Sequence, residues 1–239
     1  MEITKTTVCA EIGLNFAYGE STSNFMTNLK SLIDVAIECG VDYVKFQKRD
    51  PESCIPKSEW LKPKVVPWRA EPTTYLQYKK DIELTLDQYM EISNYCEERD
   101  MKWFTSVWDK KSVMDMSKFQ TKLPNGKWGT IMKIPSALIH DVELLEAARD
   151  SSNFLIISTG MSTQKEIDRA ISIALPDVVM HTNSTYPSPT NELNLDYITY
   201  LNHMSRGNDF EKKFLVGYSG HEFGLTTTIA ATLLGATWI

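Results

Sequence analysis

Asp42-Tyr-Val-Lys-Phe-Gln47 and Thr130-Ile-Met-Lys-Ile-Pro135 are short apolar segments, each with a lysine near its centre. Both have the length and composition of a buried strand. Lysine is almost never fully buried unpaired, because desolvating an ammonium costs more than a strand gains. A strand that accepts one aims it at an anion. Side chains alternate along a strand, so Tyr43, Lys45 and Gln47 share one face and Val44 and Phe46 the other. The wholly apolar pair is expected to meet helices, which turns Lys45 and Gln47 inward. By the same alternation Ile131 and Lys133 face inward, with Met132 and Ile134 outward. Two such strands suggest one anionic ligand held from two sides.

Similar apolar runs recur along the chain, at residues 8–12, 43–47, 103–107, 131–134, 154–158, 178–182, 214–218 and 236–239. Helical spacing fills the gaps between them. Phe25, Leu29, Leu32, Ile33, Ala36 and Ile37 mark one helix. Capping boxes at Thr85/Gln88 and Thr163/Glu166 open two more, and residues 226–234 read as a last one. Eight strands in this alternation predict an α/β (β/α)₈ barrel, the TIM-barrel architecture, as one domain over residues 1–239. The turn Glu11-Ile-Gly-Leu-Asn15 does not fit a dinucleotide fingerprint. The chain stops at Ile239, inside or just after strand eight, so a covering eighth helix is expected from a longer chain or from another chain.

Two segments break the rhythm. Residues 51–82 hold five prolines, Trp60 and Trp68 with little periodicity. They follow strand two, which places them on the face where barrels carry their sites, as a lid or as a rigid loop. Residues 120–130, with Asn125-Gly126, read as a turn or small hairpin on the opposite, stabilising face. A net charge of −6 disfavours a nucleic-acid or anionic-membrane partner. The four cysteines are scattered without a C-x-x-C pair, and no signal peptide or membrane-length apolar run is visible. The expected setting is the cytoplasm.

The strand ends carry polar groups: Glu11, Thr105, Ser106, Ser136, Ser158, His181, Ser219 and His221. Lysines and hydroxyls around one mouth describe an anion site, and phosphate suits it because its oxygens need several donors. Glu11 reads as a general acid or base, or as an acceptor for a substrate hydroxyl. His221 reads either as a divalent-metal ligand or as a hydrogen-bonded loop histidine.

Six strings in one order carry a resemblance: Ala10-Glu-Ile-Gly-Leu-Asn15, Val44-Lys-Phe-Gln-Lys48, Lys133-Ile-Pro-Ser-Ala137, Ser158-Thr-Gly-Met161, Ser184-Thr-Tyr-Pro187 and Val216-Gly-Tyr-Ser-Gly-His221. Together they resemble the N-acetylneuraminate (sialic acid) synthase family, with its legionaminic and pseudaminic acid branches. The resemblance implies condensation of phosphoenolpyruvate with an N-acetylated aminosugar such as N-acetylmannosamine. Carbon 3 of phosphoenolpyruvate attacks the aldehyde, water adds at carbon 2, and phosphate leaves a nine-carbon 2-keto acid. It implies that Lys45, Ser106, Lys133, Ser136, Ser184, Tyr186 and Ser219 hold phosphoenolpyruvate. Glu11, Lys45 and Lys133 take the catalytic roles, and His221 binds Mn²⁺ or Mg²⁺. It further implies a possible homodimer and acceptors that are not sugar phosphates.

Three departures accompany the resemblance. Gly220 stands where the family has Asp, and Phe16 where it has His. The family's second metal histidine and its C-terminal antifreeze-like domain would both lie beyond Ile239. The competing expectations are an inactive remnant that binds a phosphorylated metabolite or a partner protein, or another phosphoenolpyruvate-dependent synthase or aldolase on the same barrel.

Overall fold

The structure is a computed structural model that describes residues 5–17, 24–207 and 210–239. Seven strands pair in sequence order, every neighbour parallel: β1 (Cys9–Glu11), β2 (Tyr43–Lys48), β3 (Lys102–Val107), β4 (Ile131–Ile134), β5 (Phe154–Ser158), β6 (Val178–His181) and β7 (Leu215–Tyr218). Residues 236–239, expected as a full eighth strand, instead form a short bridging segment. It still closes the ring. Thr237 N donates to Val216 O at 2.7 Å and Tyr218 N to Trp238 O at 2.7 Å. On the other side Thr7 N donates to Thr237 O and Cys9 N to Ile239 O, both at 2.8 Å. The barrel is closed with every strand parallel, so helices must cover its outside.

Those helices are α1 (Phe25–Glu38), α2 (Leu86–Glu98), α3 (Lys110–Met116), α4 (Val142–Ser151), α5 (Gln164–Ala174), α6 (Tyr197–Arg206) and α7 (Thr226–Leu233). The expected apolar stripe of α1 is the buried one, through Phe25, Leu29, Ile33 and Ala36. In α2 the box is reciprocal: Gln88 N donates to Thr85 Oγ1 at 3.2 Å and Thr85 N to Gln88 Oε1 at 2.8 Å. At α5 the Glu166 carboxylate accepts from both Thr163 N and Thr163 Oγ1 at 2.8 Å. The three bonds from backbone N–H groups satisfy donors that the helix starts leave unpaired.

Strand alternation divides the core in two. Val44, Phe46, Met132, Ile134, Leu155, Ile157, Val179 and Val216 pack outward against the helices. Tyr43, Phe104, Ile131, Ile156, Val178, Met180 and Trp238 fill the barrel interior near the strand starts. Trp238 lies 5.3 Å ring to ring from both Tyr43 and Phe154, plugging that end. The hairpin Thr121–Lys122 with Trp128–Gly129 lies below the plug, and Lys122 O accepts from Tyr43 Oη at 3.1 Å. An apolar floor therefore leaves only the upper interior for polar side chains.

The 51–82 insertion is more ordered than its sequence suggests. It contains the helical turn Pro51–Cys54, the antiparallel pair Pro63–Lys64 with Thr73–Thr74, and the helix Tyr75–Asp81. Trp68 anchors it, packed edge-on to Phe25 at 5.5 Å and stacked on Tyr78 at 6.1 Å. Phe25 in turn meets Phe16, which is fully buried. Phe16 thus belongs to the packing that pins the insertion, and not to the barrel mouth.

Candidate active site

Above the floor the inward alternation continues as Glu11, Lys45, Ser106, Lys133 and Ser158. Lys45 and Lys133 are only 9% and 7% exposed. Lys45 lies against the Glu11 carboxylate, and its Nζ donates to Ser106 Oγ at 3.1 Å. Gln47 Nε2 donates to the other Glu11 oxygen at 2.9 Å, so Glu11 is held from two sides. Among the described residues Lys133 has a hydroxyl and no carboxylate partner: its Nζ donates to Ser219 Oγ at 3.2 Å. Burial, reinforced by the charge of Lys45 and only partly offset by Glu11, holds the Lys133 ammonium down at about 7. A buried cation so depressed sits in a place that an anion would stabilise.

Hydroxyls surround the two lysines. Ser136 Oγ accepts from Gly160 N at 3.1 Å. A Cβ on Gly160 would run into Ser184 Oγ and stand 2.9 Å from Ser136 Oγ, so both serines press on this backbone. Only glycine lets them approach so closely. Ser158 Oγ is buried with no hydrogen-bond partner among the described residues. An orphaned buried hydroxyl costs about 1–3 kcal/mol, which a ligand oxygen would recover. A cleft of about 580 Å³ opens beside this group, between the β5–α5 and β6–α6 connections. It shares Gly160 and Ser184 with the cradle and leaves both lysines outside it.

His221 is held by its loop. Its Nδ1 faces Asn183 O at 2.8 Å, and its own carbonyl accepts from Ser188 N at 3.1 Å. A carbonyl on Nδ1 fixes the proton there and leaves Nε2 free as an acceptor, the arrangement that suits a metal ligand. It supplies one ligand position. Among the described residues no group of three His, Cys, Asp or Glu side chains is placed to hold a metal ion. Tyr186, 82% exposed, stands edge-on to His221 at 5.2 Å on the rim.

The missing acid at position 220 has a counterpart in space. A Cβ on Gly220 would lie 2.5 Å from Glu222 Oε2 and 2.7 Å from Oε1. Glu222 folds back into the room that a side chain at 220 would use. There it accepts from Tyr218 Oη at 2.8 Å and from Thr227 Oγ1. This clamp joins the end of β7 to the first turn of α7, across the loop that presents Ser219 and His221.

A family model, described as the NeuB family, matches residues 32–239. The chain belongs to the NeuB family. It is 29% identical over 240 residues to the N,N'-diacetyllegionaminic acid synthase of Campylobacter jejuni, covering 97% of this chain and 65% of that protein. It is 29% identical over 234 residues to the N-acetylneuraminate-9-phosphate synthase of Drosophila melanogaster, covering 96% and 57%. The chain thus spans about three-fifths of the length of these relatives. A crystal structure of N-acetylneuraminic acid synthetase from Leptospira borgpetersenii, in complex with citrate, superposes with a TM-score of 0.79 at 23% identity over 99% of this chain and 72% of that one. At that identity the likeness shows the barrel fold.

In this NeuB chain Glu11, Lys45 and Ser106 form one contact group and Lys133 with Ser219 a second, on neighbouring strands where Ser106 pairs in register with Lys133, while Ser136 and Ser184 meet at Gly160. Tyr186 and His221 pair separately at the rim. Ser158, read from the sequence as a strand-end hydroxyl but absent from the set that the resemblance assigns to phosphoenolpyruvate, continues the inward face of Phe154 and Ile156. Sequence reading also placed strand six's His181 at the mouth. His181 turns outward, its Nε2 facing Leu193 O at 2.6 Å and its ring against Tyr197 and Tyr218. It is a packing residue.

Proposed function

We propose that this chain condenses phosphoenolpyruvate with an N-acetylated aminosugar to form a nine-carbon 2-keto sugar acid of the sialic acid type, releasing phosphate. The convergence of Lys45 and Lys133 inside one closed mouth, ringed by serine hydroxyls, carries this reading. Phosphoenolpyruvate bears a carboxylate and a phosphate, and two ammonium groups with hydroxyls and a backbone N–H match both. Lys133, neutralised by half near neutral pH, would take its full charge when the anion arrives. Glu11, shared by Lys45 and Gln47, stands beside the lysines, where a proton can pass to the aldehyde oxygen as the carbon–carbon bond forms. Burial of the lysines keeps bulk water from the bound anion until water adds at carbon 2. His221 would give one ligand to Mn²⁺ or Mg²⁺, which would polarise the aldehyde as a Lewis acid.

Family membership supports a synthase acting on this class of sugar. The relatives' names differ in whether the product carries a phosphate. The test is phosphate release from phosphoenolpyruvate with Mn²⁺ and N-acetylmannosamine or related aminosugars. Release that depends on the sugar supports the reading, and its absence across the panel overturns it. Binding of phosphoenolpyruvate that Lys133→Ala abolishes, without turnover, would instead identify a binding domain.

A further inference from the structure

Arg49 stands two positions beyond Gln47 on the inward row Tyr43, Lys45, Gln47 of β2, just past the strand end. Its side chain is only 11% exposed. The guanidinium lies 4.7 Å from the centroid of the Trp108 ring, and its Nη2 donates to Gln47 Oε1. Gln47 Nε2 donates in turn to Glu11 Oε1 at 2.9 Å, while Lys45 lies against Glu11 Oε2. Glu83 holds Arg49 from the other side. Its Oε1 accepts from Arg49 N at 3.0 Å, and its Oε2 lies 3.8 Å from Arg49 Nε. Lys48 Nζ also donates to Glu83 Oε1, at 3.2 Å, so this carboxylate is shared. Residues 49 and 83 bracket the 51–82 insertion. One ion pair therefore closes the neck of that insertion and begins a chain of contacts that ends on Glu11. A guanidinium is costly to bury, and this one is held by a carboxylate, a ring face and an amide oxygen.

A side-chain amide can turn either way, and here both neighbours demand the same way. A guanidinium has only donors and a carboxylate oxygen accepts, so Gln47 gives Oε1 to Arg49 and Nε2 to Glu11. Turned over, the amide would set N–H against N–H and oxygen against oxygen. Resting on the condensation proposed above, we infer that Arg49 is a positioning residue: through the Gln47 amide it holds Glu11 Oε1 as an acceptor and confines to Oε2 the proton that Glu11 exchanges with the sugar aldehyde. When the carbon–carbon bond forms, that proton passes from Oε2 to the aldehyde oxygen. The carboxylate charge left behind faces the Lys45 ammonium. Without Arg49 the amide oxygen loses its fixed donor, the amide can rotate, and either Glu11 oxygen can take the proton. The insertion thus reaches the chemistry through its neck, whatever its outer part does.

Two variants test this role. Arg49→Met removes the donor, keeps an apolar side chain beside Trp108 and leaves Glu83 paired with Lys48. Gln47→Glu keeps an acceptor for Arg49 and removes the donor to Glu11. Circular dichroism checks that each is folded. One readout needs no turnover. In nuclear magnetic resonance spectra of protein with isotope-labelled glutamine side chains, the Gln47 signal is assigned by its loss in Gln47→Glu. Its Nε2 protons should be protected from exchange with water, and Arg49→Met should speed that exchange about tenfold or more, as expected for the loss of a charge-assisted hydrogen bond. Exchange that Arg49→Met leaves unchanged overturns the inference. The second readout is phosphate release from phosphoenolpyruvate with N-acetylmannosamine. Both variants should lose about 10–10²-fold in kcat, with phosphoenolpyruvate affinity within a few-fold of the parent. A kcat that survives in either variant, or an affinity that falls by the same factor, overturns it as well. A parent without sugar-dependent release overturns the condensation and leaves the exchange rates to judge Arg49.

Discussion

Lys133 spans the barrel mouth: its Nζ, carried on β4, donates to the Ser219 hydroxyl just beyond β7, 3.2 Å away. These strands share no backbone pairing, so the contact exists only in the closed barrel. A hydroxyl orients an ammonium but does not neutralise it. Lys133 is thus fixed in direction and only partly compensated, with Lys45 nearby opposing its charge and Glu11 offsetting part of that.

Replacing Lys133 by Met should stabilise the protein. The folded lysine titrates at about 7, against about 10.4 in an unfolded chain. Below the folded value both states are charged and the folded one bears the whole cost. Between the two values the folded lysine gives up its proton first, so the cost fades as pH rises. Lys133→Met should therefore raise Tm most near pH 6 and least near pH 10, by about 2–4 °C for each kcal/mol recovered. Melts at both pH values decide this, and a gain independent of pH would contradict it.

Phosphoenolpyruvate binding should take up a proton. The anion favours the charged lysine, so above about pH 7 affinity should fall, by up to about tenfold per pH unit. Calorimetry at pH 8 in buffers of different ionisation enthalpy counts the protons. Proton release, or none exchanged, would place the ligand elsewhere.

Glu11→Gln should separate binding from chemistry. The amide keeps the shape of the contact to Gln47 and loses the ability to carry a proton. Turnover should drop about 10²–10⁴-fold, with phosphoenolpyruvate affinity within a few-fold of the parent. Equal losses in both would make Glu11 a binding residue.

Gly220→Ala should weaken phosphoenolpyruvate binding, because its Cβ would stand 2.5 Å from Glu222 Oε2 and 2.7 Å from the Tyr218 ring. Glu222→Ala should weaken it too, by freeing the loop that carries Ser219. Gly220→Asp combined with Glu222→Ala returns a carboxylate to the same space but keeps its Cβ 2.7 Å from the Tyr218 ring, so it should recover only part of the affinity. If the pair binds no better than Glu222→Ala alone, the clamp is not what orders the loop.

Phe16→His should lower stability by about 1–3 kcal/mol, since it places an imidazole in a fully buried site against Phe25. Denaturant titration measures the change. An unchanged midpoint would mean that position 16 is not part of the core.

Much of this molecule was legible because strand alternation is local. The inward turn of Lys45 and Lys133 followed from two residues on either side of each, and both sit where that argument placed them. Ser158 was legible in the same way, two positions beyond Ile156. Other features depend on distant partners. Glu83 meets Arg49 from the far end of the insertion, and proline-rich spacing gave no sign of the helix Tyr75–Asp81 or of Trp68 docking on Phe25. Gly220 showed a missing acid in the sequence. That Glu222 refills the space depends on the path of one loop, which no local pattern encodes.

Glu11 sits on a three-residue strand, with β2 on one side and residues 237–239 on the other. Its register therefore depends on a pairing between the two extremes of the described chain, the kind of contact whose loop-closure entropy makes it slow to form. With that seam open Glu11 has no fixed register and the Lys133–Ser219 contact has no closed mouth to span, so anion capture and proton transfer both wait for the seam to shut.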